Sequence, residues 1–391
     1  MELALRGYLD TCATTPVAPQ VLEVMNSVHA TAWANPSSLH GFGLAALEQL
    51  ERSRNRLSEL LGCSSDEVVF TSGGTESIHL ALLGAAATCP LPARLLISSV
   101  EHPATVAAAG QLRRFGWQVE ELPVDRYGRI DRQRLEELLV PPTQLVSLVW
   151  GQSEVGTLQD VESIGGVCRR FGVLLHLDAV QVVGQQRVRF KQLPVDLLSL
   201  AAHKFQGPRG IGALLVRARV QITFCLGGGG QESGLRAGTQ PVALVAGLVR
   251  ALELAVERIE ATGPVPVSSD LRNALLSRLL EQPGLVISGP NPMQAHHPPR
   301  LPHHISVMVA DQAGGWVSGR SLVRALWKQG FACSSGSACS SGSTKPSRVL
   351  LAMGHSPEQA ASGLRISLGA WHQNDLLALL PAALERGRAC L

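Results

Sequence analysis

With 391 residues, 45% of them hydrophobic and 17% charged, the chain can bury a sizeable core and is not a disordered polymer. Its formal net charge of +3, without any run of Lys and Arg, excludes a nucleic-acid surface built on charge and points to small-molecule chemistry. Eight scattered cysteines make no disulfide framework, the opening MELALRGYLD lacks a signal-peptide pattern, and no apolar run has the roughly 18–20 residues of a membrane span. A reducing cytoplasm, where free thiols persist, is the expected compartment.

From about residue 66 to 216, short apolar runs alternate with amphipathic segments. The runs EVVFTS, RLLISSV, QLVSLVW, VLLHLDA, DLLSLAA and GALLVR are strand-length and apolar on both faces, as strands inside a helix-covered parallel sheet are. Helical spacing covers 75–87, 106–115 and 161–171, and a long helical segment follows near 241–260. This alternation predicts an α/β fold with a mainly parallel central sheet flanked by helices.

The TGPVPVSS stretch (262–269) is a Pro/Gly break and reads as a hinge. Beyond it GLVISGP, HHISVMV and LRISLG read as strands of a smaller α+β domain that closes in an apolar helix near 375–385. The expected division is a large domain over 14–260 and a small one formed by 1–13 and 261–391. The histidines of NPMQAHHPPRLPHH (291–304) lie among prolines and read as a loop rather than a metal site.

Three stations carry chemistry. In FTSGGTES (70–77) a strand runs into two glycines and then a helix, which lets backbone N–H groups approach an anion. LLHLDAVQVVG (174–184) puts Asp178 at the C-terminal edge of an apolar strand, where ligands bind in such sheets. DLLSLAAHKFQGPRGIGALLVR (196–217) puts His203 and Lys204 just after another one. Each alone is weak. In this order they fit pyridoxal phosphate: the glycine turn for the phosphate, Asp178 for the pyridinium proton, Lys204 for the Schiff base.

The chain resembles the cysteine desulfurases, fold-type I pyridoxal phosphate enzymes of the class V aminotransferase superfamily. The resemblance runs through YLDTCATTPV (8–17), NPSSLHGFG (35–43), VVFTSGGTES (68–77), SSVEHPA (98–104), HLDAVQ (176–181), AAHKFQGPRGIGAL (201–214), GGGGQESGLRAGT (227–239), SSGSACSSG (334–342) and LRISLG (364–369). It implies that Lys204 is the Schiff-base lysine, that Asp178 pairs with the ring nitrogen, and that His102 stacks on the ring and assists proton transfer. Gln181 would hydrogen-bond the phenolic oxygen. Gly74, Thr75 and His203 would bind the phosphate, with Thr239 reaching in from the second subunit of a homodimer. Arg365 would clamp the substrate carboxylate, with Asn35 also on the substrate side.

Cys339, on a Ser/Gly-rich loop at about 332–345 in the small domain, would be the nucleophile. It would take sulfur from L-cysteine as a persulfide, leave L-alanine, and deliver the sulfur to an acceptor such as an iron–sulfur scaffold or a tRNA-thiolation protein. The resemblance implies no direct nucleic-acid or membrane partner and no metal. In ACSSGSACSSGS (332–343) the second cysteine matches the nucleophile, while Cys333 reads as a small buried residue.

Several positions depart from the family pattern. Ser153 in QSE (152–154) stands where an asparagine contacts the cofactor, and Ala201 replaces a phosphate-binding serine. Ser233 replaces an arginine and Ala237 a serine. Each lost hydrogen bond costs about 1 kcal/mol, which predicts an active enzyme with weaker cofactor retention. The alternatives are a selenocysteine or cystine lyase, an aminotransferase, or a sulfur-transfer scaffold without chemistry.

Overall fold

The computed structural model describes residues 5–261, 267–311, 313–336 and 345–391. Its centre is a seven-stranded sheet in the order β1-β7-β6-β5-β4-β2-β3. The strands are β1 (Val68–Thr71), β2 (Arg94–Ser98), β3 (Gln118–Leu122), β4 (Thr143–Val149), β5 (Leu174–Asp178), β6 (Leu197–Ala201) and β7 (Gly212–Val216). Strands β3, β2, β4, β5 and β6 run parallel, and β7 is antiparallel to both β6 and β1. Every residue of β1, β6 and β7 is buried, which is why their sequences show no alternation.

Strand β3 was not among the expected strands. Its sequence QVEEL is only partly buried, with Gln118 and Glu121 exposed, so it writes no apolar run. The helices begin where caps allow. The first helix of the glycine station spans Gly74–Ala86, and the next, Pro103–Arg114, starts three residues before its apolar spacing because His102 caps it. Two unanticipated helices, Pro19–Thr31 and Gly41–Leu61, pack on Val242–Ala261.

A second sheet of three antiparallel strands has the order β10-β9-β8: β8 (Leu285–Ile287), β9 (His304–Val309) and β10 (Gly363–Ser367). Its core gathers Leu9, Leu276, Ile305, Val307, Leu322 and Ile366. The expected helix near 375–385 is two, Asn374–Leu377 and Leu380–Ala389. Pro381 lies in the first turn of the second, where its missing N–H costs nothing.

The N-terminal segment ties the two sheets together. Tyr8 bridges Ala332 and Asp10 bridges Ser367 on the β10 side, while the Thr15 and Ala18 N–H groups donate to His203 and Gln206 on the β6 side. Residue 12 is where the chain crosses. Among the described residues no helix is long and apolar enough to cross a membrane.

Candidate functional site

The site is built at the C-terminal ends of the parallel strands, where a doubly wound sheet leaves backbone groups and helix N-termini facing one crevice. Gly73 takes φ 150° and ψ −175°, a conformation that only glycine adopts without strain, and it turns β1 into the Gly74–Ala86 helix. Among the described residues no side chain caps that helix, so its first-turn N–H groups are left facing outward. A Cβ on Gly73 would meet nothing within 4 Å, so there is room in front of them. A Cβ on Gly74 would lie 2.7 Å from Val180 Cγ2 and 3.7 Å from Ala201 Cβ. Glycine at 74 thus lets the helix N-terminus sit directly against the turns that carry Asp178 and Lys204.

Lys204 ends the short turn after β6. Its Nζ donates to the carbonyl oxygens of Cys12 at 2.6 Å and Ala13 at 2.9 Å. Gln181 Nε2 donates to the same Cys12 oxygen at 2.9 Å, so the lysine and the glutamine converge on one carbonyl. Beside them His203 Nδ1 hydrogen-bonds Thr14 Oγ1 at 3.1 Å. Burial, with the charges of Lys204 and Arg209, pushes the His203 imidazole down to about 4, so it is neutral at pH 7.

Asp178 closes β5, buried at 5% exposure, and its Oδ1 accepts from the Val180 N–H at 3.0 Å. Burial raises its proton affinity, and the fields of His102 and Lys204 oppose that. A carboxylate in such a place calls for a cationic partner, which a protonated ring nitrogen supplies. His102 Nδ1 accepts from the Ala104 N–H at 3.1 Å, which puts the imidazole proton on Nε2. Its neighbour Glu101 is buried, accepts from Ser98 Oγ at 2.5 Å and from the Val149 N–H at 2.9 Å, and is pushed by burial up to about 8. Glu101 therefore ties the ends of β2 and β4 together beneath His102.

Across the crevice Arg365 lies on β10 at 3% exposure. Its Nη2 donates to Asp10 Oδ1 at 2.6 Å and its Nη1 to the Ser153 carbonyl at 3.2 Å, while Nε is buried with no partner among the described residues. Ser153 thus meets the clamp through its backbone, not its hydroxyl. The Ser334 and Arg365 backbones pair, and Glu154 lies near both Gly336 and Ser347, accepting from Ser347 Oγ at 2.6 Å. These residues flank 337–344, and Cys339 lies outside the described residues. Cys333 is buried, and burial pushes its thiol up.

Lys204, Asp178, Gln181, His203, Gly74 and His102 are therefore brought together, with Arg365 and Ser153 opposite. Thr75 is exposed on the first turn of its helix. Asn35 and Thr239 are exposed and do not join the cluster within one chain; Asn35 Oδ1 accepts from the Ser37 N–H in a local turn. Sequence reasoning missed the Cys12 and Ala13 carbonyls, Asp10 and Glu101. Asp10 and Cys12 fall inside YLDTCATTPV and Glu101 inside SSVEHPA, so their motifs were visible although their roles were not.

Residues 7–379 match the family described as aminotransferase class-V. The chain belongs to that family. Cysteine desulfurase IscS of Dictyoglomus turgidum is 35% identical, over 97% of this chain and 93% of its own. Cysteine desulfurase IscS of Salmonella newport is 39% identical, over 93% and 87%. The solved structure of a NifS-like protein superposes with a TM-score of 0.88 at 32% identity, covering 99% of this chain and 100% of its own.

Within this member of the family two of the departures have local explanations. Ala201 is buried at 1% exposure, its Cβ 3.7 Å from where a Cβ on Gly74 would lie, so a methyl group stands beside the helix N-terminus where a hydroxyl was expected. Ser233 takes φ 55° on an exposed turn beside Glu232, whose carboxylate is held by Arg54 and the Phe70 N–H. The anchor of that turn is therefore intact although the arginine expected at 233 is not there.

Proposed function

We propose that the chain is a pyridoxal phosphate-dependent cysteine desulfurase that converts L-cysteine to L-alanine and keeps the sulfur on Cys339 as a persulfide. The observation that carries this reading is the meeting of an uncapped, glycine-fronted helix N-terminus with Asp178 and Lys204 at adjacent strand ends. The residues fit the cofactor: outward N–H groups for a phosphate, a buried carboxylate for a protonated ring nitrogen, and an amine beside both. Pyridoxal phosphate, when bound, supplies an electron sink that stabilises negative charge at the substrate Cα.

The chain's own groups divide the remaining work. Gly74, Thr75 and His203 would hold the phosphate, with Thr239 contributed by the second subunit of a homodimer. Asp178 would hold the ring N–H, Gln181 the phenolic oxygen, and His102 the ring face. Lys204 would anchor the cofactor and, once displaced by substrate, take the Cα proton. The ammonium so formed has acceptors waiting in the Cys12 and Ala13 carbonyls.

Arg365 would exchange Asp10 for the substrate carboxylate, using as well the Nε that has no partner among the described residues, and Asn35 would sit on the same side. The Cys339 thiolate would then attack the substrate sulfur. An S–S bond would form as the Cβ–S bond breaks and its electron pair passes to Cβ; a proton taken up at Cβ, and the return to Cα of the proton held by Lys204, would complete alanine. The sulfur acceptor would be a protein of iron–sulfur assembly or tRNA thiolation, with catalysis in the reducing cytoplasm.

A lyase acting by β-elimination needs no enzyme thiol, so Cys339→Ala separates the two readings. Persistence of full alanine release from cysteine in that variant refutes the desulfurase reading; a scaffold without chemistry is refuted by any turnover that Lys204→Ala abolishes.

A further inference from the structure

The GGGGQESGLRAGT stretch (227–239) lies against the glycine turn of its own chain, and its two charged residues have no part in the roles above. Strand β1 ends the sheet, so alternate backbone groups on its open side lack a strand to pair with. Two side chains take them: Arg54 Nη1 donates to the Val68 carbonyl at 2.8 Å, and the Phe70 N–H donates to Glu232 Oε2 at 2.8 Å. Arg54 and Glu232 also pair as a fork, Nη1 to Oε2 at 2.9 Å and Nη2 to Oε1 at 2.8 Å, with the Glu232 side chain 1% exposed. Glu232 and Ser233 both hold left-handed backbone, at φ 50° and 55°, which side chains other than glycine keep only where their surroundings fix them. The stretch is thus docked on the strand that runs into the glycine turn.

Its second charged residue reaches the turn itself. Arg236 Nε donates to Glu76 Oε1 at 2.9 Å and Nη2 to Oε2 at 3.5 Å. Glu76 Oε2 in turn accepts from the Ser72 N–H at 2.6 Å, so one carboxylate spans Gly73 and Gly74 from the first turn of the Gly74–Ala86 helix. Burial works against the charge on Glu76, but Arg236 and the Ser72 N–H outweigh it and hold the group below the usual carboxylate range, ionised at pH 7. The outward N–H groups of that helix suit a phosphate, whereas an ionised carboxylate in the same turn repels one. Arg236 is the only Lys or Arg in 227–239, where the family pattern places a further arginine at 233.

We propose that Arg236 is a positioning residue for the cofactor phosphate: it neutralises Glu76 and, through it, holds the Ser72–Gly74 turn in place. The inference rests on the pyridoxal phosphate reading of the site. Glu76 orders the turn by accepting from Ser72, and Arg236 cancels the charge that this order brings with it. The turn is then fixed without facing the phosphate with a net negative charge. Arg236 acts through Glu76 and is not itself a ligand of the phosphate.

The test titrates the full-length chain, freed of cofactor, with pyridoxal phosphate and with pyridoxal, and follows the visible absorbance of the lysine-bound form. Arg236→Met raises the Kd for pyridoxal phosphate about tenfold and leaves that for pyridoxal, which has no phosphate, within about twofold. Glu76→Gln keeps an acceptor for Ser72 and leaves Arg236 unopposed, so it tightens pyridoxal phosphate about threefold; it serves if Arg236→Met does not fold. The double variant Arg236→Met/Glu76→Gln returns to within about threefold of the parent. Equal weakening of pyridoxal and its phosphate by Arg236→Met shows a merely structural role and overturns the inference. A double variant as weak as Arg236→Met, which puts Arg236 on the phosphate directly, overturns it too, as does weaker binding in Glu76→Gln. Equal Kd in the parent and Arg236→Met overturns it while the pyridoxal phosphate reading stands; no lysine-bound absorbance in the parent overturns both.

Discussion

Lys204 and Cys12 meet where the chain crosses between the two sheets: the lysine Nζ donates to the Cys12 carbonyl oxygen at 2.6 Å. The Cys12 N–H in turn donates to Ser367 Oγ at 2.9 Å, at the end of β10. The Lys204 amine beside the large sheet thus rests on a residue held by the small one. Replacing Lys204 by Met removes the amine and keeps its bulk. Alanine formation from cysteine is expected to fall by about 10³-fold, and the visible absorbance of lysine-bound pyridoxal phosphate to be absent. An undiminished rate would rule out Lys204 as the acting amine.

Asp178→Asn keeps the shape of the residue but not its charge. The ring nitrogen then loses the partner that keeps it protonated, and kcat is expected to drop by about 10²-fold with little change in KM. A change confined to KM would mean that the carboxylate only helps binding.

Glu101 provides a stability test with a definite sign. Burial raises it from 4.5 to about 8, so between those values the folded state binds more protons than the unfolded one. Stability is lost as pH rises across that window. Glu101→Gln keeps an acceptor for Ser98 Oγ and the Val149 N–H but has no charge to bury. Urea unfolding at pH 7 should show the variant more stable by about 1–3 kcal/mol. Equal stability at pH 7 and pH 5 in both proteins would contradict it.

His176 tests the opposite sign. It is fully buried, bonded to Ser147 Oγ and Ser199 Oγ at 2.8 Å each, and burial pushes it from 6.5 down to about 3. The unfolded state takes up the proton first, so its contribution is complete above 6.5 and lost as pH falls toward 3. The loss is about 1.4 kcal/mol per pH unit. His176→Gln should unfold with a shallower pH slope between 6 and 4, and an unchanged slope would count against a neutral buried imidazole.

Arg365→Lys keeps a cation but not the planar fork that grips a carboxylate. KM for cysteine is expected to rise about 10–100-fold with a smaller effect on kcat. The reverse pattern would move Arg365 from substrate binding into the chemical step.

The interior strands and their catalytic ends were legible because burial on both faces writes an unbroken apolar run and the chemistry follows it. Strand β3 was hidden because its side chains are largely polar and only partly buried, so QVEEL writes no apolar run. Asp178 and Lys204 were marked by side chain and strand-end place, and His102 by the family resemblance alone. The Cys12 carbonyl did not, since a backbone oxygen leaves no mark on sequence. The Asp10–Arg365 pair joins opposite ends of the chain, and Glu101 draws its environment from strands far apart in sequence, so neither could be read locally.

The central claim is that substrate sulfur ends on Cys339. Mass spectrometry of peptides from the holoenzyme, quenched after brief exposure to L-cysteine, tests it most directly. One extra sulfur atom on the Cys339 peptide, absent from Lys204→Met, is the result expected. Alanine released while every cysteine peptide stays unmodified, or sulfur found on another cysteine with Cys339 untouched, would contradict it.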